Sequence, residues 1–313
     1  MSALSQPIAM ATETTSPEVS AAHEEPGIGT KAVCPLCQGA SLQRVYEVKT
    51  WTDYGIEKCR TCGFAFASPR PSAQELERFY TSTYFERNQP TVLGYANYRS
   101  VAEVNARRMW AEMKDLLSSH NITPRRLLDV GCATGGFLAE AQADRWECVG
   151  VEFSDFAIDV ARKEFGLNVL KGDVFHSDLA PGSFGLSTMW HVLEHVIDPV
   201  STLARTRELL VAGGLLFIEL PNWGSIGRKV RGAKWSQLKP PEHINFFTPK
   251  SLATAVSKVG FQVLDAGSAY PSLMNEAVVQ RPSRPLHQLK AGLAAIASRL
   301  HCGGYVRVLA QKV

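Results

Sequence analysis

Three groups of residues in this chain have the types and spacing for chemistry. The first is Trp190-His191-Val192-Leu193-Glu194-His195, whose H-x-x-E-H spacing lets two imidazoles on one helix face hold a metal while the carboxylate between them activates water, as in a metallopeptidase. The second is a pair of C-x-x-C knuckles, Cys34/Cys37 and Cys59/Cys62, separated by 21 residues. That spacing presents four thiolates to one tetrahedral zinc, and four cysteine ligands leave no open coordination position, so the ion would be structural. The third is the loop Gly131-Cys132-Ala133-Thr134-Gly135-Gly136, which directly follows the apolar run ending in Asp129-Val130. Glycines there permit positive φ and let backbone N–H groups approach a ligand at the carboxyl edge of a sheet.

A glycine loop does not choose its cofactor by itself. The pair Gly131/Gly135 gives G-x-x-x-G, not the G-x-G-x-x-G of a pyrophosphate cradle. Two later acids narrow the choice. Glu152 ends the next apolar run, 23 positions after Asp129, where a carboxylate can accept hydrogen bonds from both hydroxyls of a ribose. Asp173 ends the one after, in Lys171-Gly172-Asp173, placed to meet an adenine amino group. A nucleoside-shaped ligand without a diphosphate fits this set better than a dinucleotide.

The elements that must position these groups read as α/β. From Arg126 onward, short runs at 126–130, 148–153, 168–173, 186–192 and 215–220 alternate with helical segments, which predicts a parallel sheet with helices on both faces; 261–267 and 305–311 read as its last strands. Ser72-Ala-Gln-Glu75 has the form of a capping box opening a helix through Tyr80, and a longer helix is expected over about 97–118. Thr248-Pro249 reads as a helix start and Gly260 as its stop. The expected organisation is a polar tail over 1–30, a zinc ribbon over 31–70, a helical linker and cap over 71–122, and an α/β domain over 123–313.

Residues 125–313 resemble a class I S-adenosylmethionine-dependent methyltransferase. "LLDVGCATGGFL" is similar to that family's first motif, "VGVEFS" to its second, "KGD" to its third, and "LLVAGGLLFIELPN" to the helix, turn and strand before its substrate loop. The resemblance implies a Rossmann-like, seven-stranded fold. It also implies that Asp129 and the loop of Gly131, Cys132, Ala133 and Gly135 hold the amino-acid part of S-adenosylmethionine. Glu152, with Phe153, would meet the ribose, Asp173, with Val174, the adenine, and His191 would lie beside the methyl group. One departure is Phe184-Gly185, where many members have Phe-Asp.

In that frame "WHVLEH" falls just after the fourth core strand, where ligands bind in open α/β sheets, and the peptidase reading recedes. Three roles stay open. Glu194 and His195 can order the loop into the next helix. His191, His195 or His243 can act as a general base toward a hydroxyl, since an ordinary imidazole titrates near 6.5. Finally, ubiquinone-pathway and small-RNA 2′-O-methyltransferases are similar here but carry Glu-x-x-Glu-His, which binds a divalent cation. With His191 in place of the first Glu, a site of His191, Glu194, His195 and His243 would be richer in nitrogen and would shift preference from magnesium toward zinc, manganese or iron.

Composition sets the remaining expectations. Lysine plus arginine number 33 against 30 acids, a net charge of +3 that does not by itself call for nucleic acid. No run approaches the ~18 apolar residues that span a bilayer, and the N-terminus lacks a signal-like pattern, so a cytoplasmic protein is expected. The stretch 221–247 carries Arg228, Lys229, Arg231, Lys234 and Lys239 beside Trp223 and Trp235, a mixture suited to an anionic, ring-containing acceptor. The ribbon plus methyltransferase arrangement is similar to that of bacterial enzymes acting on nucleotide-linked sugars, which makes a small glycosyl or hydroxylated acceptor the first choice. RNA or protein methylation guided by the ribbon, and S-adenosylmethionine binding without turnover, are the alternatives. The leucine stripe over 285–300 reads as core, as a homo-oligomer seam or as a face for an anionic membrane.

Overall fold

The computed structural model describes residues 33–49, 53–72, 75–76, 98–269 and 301–313. The tail, most of the helix expected after Ser72 and the leucine stripe over 285–300 lie outside them.

The larger sheet has seven strands: β4 (Arg126–Val130), β5 (Glu147–Glu152), β6 (Asn168–Lys171), β7 (Phe184–Trp190), β8 (Leu210–Pro221), β10 (Phe261–Ala269) and β11 (Tyr305–Lys312), in the order β10-β11-β8-β7-β4-β5-β6. Five of them, β4, β5, β6, β7 and β8, run parallel, whereas β11 lies antiparallel between β8 and β10. The expectation of a parallel sheet is corrected at this edge. Alternating runs of residues mark strands but carry no sign of direction, which the neighbouring strand imposes.

Helices cover both faces. On one side α1 (Tyr98–Leu117), α2 (Gly136–Ala143) and α3 (Asp155–Phe165) bury Trp110, Met113, Phe137, Leu138 and Ile158 against Leu127, Leu186 and Phe217 of the sheet. Each such side chain contributes about 1.5–3 kcal/mol by leaving water. Trp110 keeps its one polar atom satisfied by donating from Nε1 to Asp144 Oδ2 at 2.6 Å. On the other side lie α4 (Pro199–Leu209) and α6 (Pro249–Lys258), with the short α5 (Ile226–Arg231) between β8 and α6. The starts of α4 and α6 follow their sequences: Asp198 accepts from Val200 N and Ser201 N, and Thr248 with Ser251 forms a reciprocal capping box. Ser72 and Glu75 make the expected reciprocal bonds as well. Gly185 has a steric reason, since a Cβ there would lie 2.1 Å from the Pro124 carbonyl oxygen.

The cysteine segment does not stand apart. Its antiparallel strands β1 (Leu42–Lys49), β2 (Asp53–Cys59) and β3 (Ala65–Ser68) are completed by β9 (Asn245–Phe246), a piece of chain between β8 and α6 of the α/β sequence. Cys34, Leu36, Phe64 and Phe66 share a core with Phe247 and Val256, and Lys258 Nζ donates to Leu36 O at 2.8 Å. Residues 32–313 accordingly form one compact unit.

Candidate active site

Strands β4 and β7 are parallel neighbours, and from β4 the chain goes outward to β5 and β6, from β7 to β8 on the other side. This reversal opens a crevice at the carboxyl ends of β4 and β7, the usual ligand position in such sheets. The glycine loop follows β4 and His191 follows β7, so topology brings two of the three sequence groups to the same crevice.

On the glycine side the loop turns through positive φ at Gly131 (69°), Ala133 (48°) and Gly135 (81°). A Cβ on Gly131 would meet Val192 at 2.7 Å, so glycine is also what lets the loops after β4 and β7 pack together. Asp129 is buried and accepts from Thr188 Oγ1 at 2.6 Å. Burial pushes its carboxyl up to about 7, with Glu152 adding to the rise and the Thr188 bond opposing it. Glu152 ties the loop to its own strand end, accepting from Ala133 N (3.0 Å) through Oε2 and from Phe153 N (2.8 Å) and Ser154 N (2.9 Å) through Oε1. With roughly four lone-pair sites, a carboxylate so engaged keeps capacity for a hydroxyl. Asp173 Oδ1 accepts from Phe175 N at 2.9 Å.

The side chains of Cys132 and Val174 are buried, leaving only their backbone for a ligand, while Phe153 and Phe175 stand more than half exposed at 55% and 54%. Two exposed phenylalanines thus stand next to two strand-end acids. Phe175 and Thr188 were not among the sequence candidates. The first is visible only once its exposure is known, the second only once β4 and β7 are paired.

On the histidine side the H-x-x-E-H run lies in turns, with His191 at φ 56° donating its amide to Glu219 O at 2.8 Å. No helix face carries the two histidines, so the peptidase arrangement is not formed. Instead Glu194 and His195 meet His243, and one ligating atom from each lies within 4.8 Å of the others. His195 Nδ1 is 2.7 Å from Glu242 O and His243 Nδ1 is 3.0 Å from Gln237 O. A carbonyl oxygen only accepts, so each Nδ1 carries a proton, which in the neutral ring leaves the lone pair on Nε2. The Glu194 side chain is 2% exposed, and among the described residues both of its oxygens are buried without a hydrogen-bond partner.

His191 stays outside this trio, with Nδ1 3.4 Å from Glu194 and Nε2 3.8 Å from Glu219. Burial works against its imidazolium, yet the Glu194 and Glu219 carboxylates outweigh it and raise its pKa. The same contact acts on Glu194: burial favours the acid, but His191 and His195 together lower its pKa. Burial, joined by the positive fields of His195 and Lys239, drives His243 well below the usual imidazole range. Glu219 pairs with Arg307, which also meets Glu112 at 3.0 Å, and Tyr305 stands edge-on to His191 at 5.0 Å. Sequence reading had not marked Glu219, Tyr305 or Arg307; each becomes relevant only because β8 and β11 are adjacent.

The basic stretch behaves differently from its sequence expectation. Trp223 and Trp235 are buried at 3% and 7% in a cluster with Tyr54 and Phe246, so their faces serve the core instead of a ligand. Arg228 stacks on Trp223 at 4.4 Å and Lys239 pairs with Glu242 at 2.6 Å, leaving Lys229, Arg231 and Lys234 as exposed cations. A tryptophan reads the same in sequence whether it stacks on a ligand or on its neighbours.

The cysteine group gathers as its spacing requires. Cys34 and Cys62 Sγ are 3.6 Å apart, Cys37 and Cys59 Sγ 3.5 Å, and all four sulfurs lie within 4.8 Å of one another. Tetrahedral zinc with ~2.3 Å bonds needs sulfurs about 3.8 Å apart, so the donor set fits the ion.

Comparison with known proteins agrees with the crevice. A family model described as a methyltransferase domain matches residues 102–266, from α1 to β10 and through both sides of the crevice. An uncharacterized 37.1 kDa transposon protein of Streptomyces fradiae is 28% identical over 239 residues, covering 73% of this chain and 66% of that protein. This chain thus spans just under two thirds of that relative's length. A ubiquinone biosynthesis O-methyltransferase of Thiobacillus denitrificans is 32% identical over 181 residues, 53% of this chain and 75% of that one. In fold, geranyl diphosphate C-methyltransferase of Streptomyces coelicolor superposes with a TM-score of 0.52 at 14% identity, covering 77% of this chain and 100% of its own. With a family match over more than half its length, the chain belongs to the methyltransferase domain family and is an S-adenosylmethionine-dependent methyltransferase.

Proposed function

We propose that this enzyme methylates a hydroxyl oxygen of a small acceptor, which Glu194, His195 and His243 receive around a divalent cation. The observation that carries this reading is the buried Glu194 carboxylate with no hydrogen-bond partner among the described residues, facing two histidines whose Nδ1 protons are fixed on carbonyls. Such outer bonds orient imidazoles as ligands, and an N2O donor set suits zinc, manganese or iron. When bound, the ion would polarise the acceptor oxygen and ease loss of its proton. O-methyltransferases among the relatives support oxygen as the methylated atom.

S-adenosylmethionine fits the other side of the crevice: Glu152 would take the ribose, Phe153 and Phe175 would flank the adenine near Asp173, and Asp129 would serve the ammonium end. Methyl transfer breaks the sulfonium S–CH3 bond as the C–O bond forms, and the proton that the acceptor oxygen sheds passes to the Glu194 carboxylate. Cys34, Cys37, Cys59 and Cys62 hold structural zinc in the same reading. With both tryptophans in the core, a hydroxylated small molecule is better supported than one recognised by stacking on them.

Asp129 gives this reading a pH signature. Its folded pKa of about 7 lies above the ordinary carboxyl value of 3.8, so the ligand-free fold loses stability as pH rises between them. A cationic amino-acid end favours the ionised carboxylate. The affinity for S-adenosylhomocysteine should therefore rise by up to about one decade per pH unit on approaching pH 7 from below. Asp129→Asn should flatten this profile in calorimetric titrations, and a flat profile in the unaltered enzyme would remove Asp129 from the role.

The substrate test is incubation with methyl-labelled S-adenosylmethionine and cell extract. Label in a low-mass species, stable to alkali as an ether is, supports the proposal; label in RNA or protein overturns it.

A further inference from the structure

The ribbon and the candidate acceptor site meet along one seam. Beyond the β3–β9 pairing, Ala67 N donates to Ile244 O at 2.9 Å. Two residues past β3, Arg70 reaches both loops of the site. Its Nη1 donates to Ile244 O (3.0 Å) and Asn245 Oδ1 (2.8 Å), and its Nη2 to Val196 O (3.3 Å) and Ile197 O. Val196 and Ile197 follow His195 in the chain, and Ile244 and Asn245 follow His243.

The two loops are also tied to each other. Ile244 N and Asn245 N both donate to Glu194 O, at 2.8 and 3.0 Å, and Asn245 Nδ2 donates to Leu193 O (2.9 Å) and Val196 O (2.7 Å). His195 and Glu242 stand 47 positions apart in sequence, so nothing local fixes the distance from Glu194 and His195 to His243. A planar guanidinium with several donors in a fixed fork can grip two chain segments at once, which an ammonium on a flexible stem does less well. Arg70 is in turn anchored by the cysteine segment, whose Phe64 packs on Phe247 at 4.7 Å. Burial lowers the guanidinium to about 10, with Asp198 and Cys34 acting the other way, so it stays cationic at neutral pH.

We propose that Arg70 is a positioning residue of the acceptor site, setting the gap between the Glu194–His195 loop and the His243 loop, and that the ribbon is thereby a structural part of that site. This rests on the acceptor-site reading above.

The test uses the full chain with zinc in its ribbon, comparing the unaltered enzyme with Arg70→Met and Arg70→Lys. Cobalt is titrated and its d–d absorption followed for the second site. S-adenosylhomocysteine affinity is measured by calorimetry, and the protonated ring nitrogens of His195 and His243 by nitrogen NMR in protein without added cobalt. Arg70→Met should weaken cobalt binding at least about tenfold, the lower end of what outer contacts contribute. It should also turn the fixed Nδ1–H forms of both rings into tautomer mixtures, while cofactor affinity stays within about twofold. Arg70→Lys should fall between, and it carries the test if the methionine variant does not fold. Unchanged ring signals in the variants overturn the proposal, as does a parallel loss of cofactor affinity in both. If the unaltered enzyme takes up no cobalt beyond the ribbon, the cation reading fails, and the ring signals alone decide the role of Arg70.

Discussion

His195→Ala is expected to lower methyl transfer by about a thousandfold while leaving S-adenosylhomocysteine affinity within about twofold, the scale at which removing a positioned acid–base or ligand group acts. The split follows from the two walls of the crevice. Asp129, Glu152 and the glycine loop belong to β4 and β5 and are held by Thr188 and backbone amides. On the opposite wall, removing the imidazole takes one donor from the trio and one of the two histidines that lower the Glu194 pKa. A buried carboxylate that loses a positive neighbour shifts toward its protonated form. Single-turnover rates with labelled S-adenosylmethionine, set beside calorimetry, would check this. Full activity in the variant would mean that His195 only orders its loop through Glu242 and His243.

Cys59→Ser is expected to abolish the zinc binding proposed for the ribbon and to unfold β1–β3 ahead of the larger sheet. A structural zinc site contributes on the order of 10 kcal/mol at neutral pH, and losing one thiolate removes several of these. The ribbon has little core of its own to offset the loss, since Phe64 and Phe66 rest against Phe247 and the α6 side of the domain. Elemental analysis and amide hydrogen exchange would follow the two consequences separately. Protection should fall over 33–68 and persist over 126–221. Retained zinc with an unchanged unfolding midpoint would mean that the four thiols need no ion. Loosening at β9 should also reach His243, because Ala67 and Arg70 hold the residue that follows it.

Sequence and structure divide this protein along the range of the interactions involved. The placement of the glycine loop, Asp129, Glu152 and Asp173 at one sheet edge was legible because its geometry is local. A strand, a glycine loop and a helix are written in consecutive residues, and Asp129, Glu152 and Asp173 sit at strand ends that the apolar runs already marked. The four cysteines were legible for the same reason, two tight knuckles whose ligand type and spacing specify tetrahedral coordination. Histidine 243 stood in the sequence as a candidate, but its partnership with Glu194 and His195, to the exclusion of His191, depends on chain segments about fifty positions apart. The burial of Trp223 and Trp235, the antiparallel β11 and the grip of Arg70 on both loops likewise depend on which surfaces close on one another. Side-chain type and local spacing determined the chemistry available to this chain; packing between distant segments decided which groups share a site and which are spent on holding it.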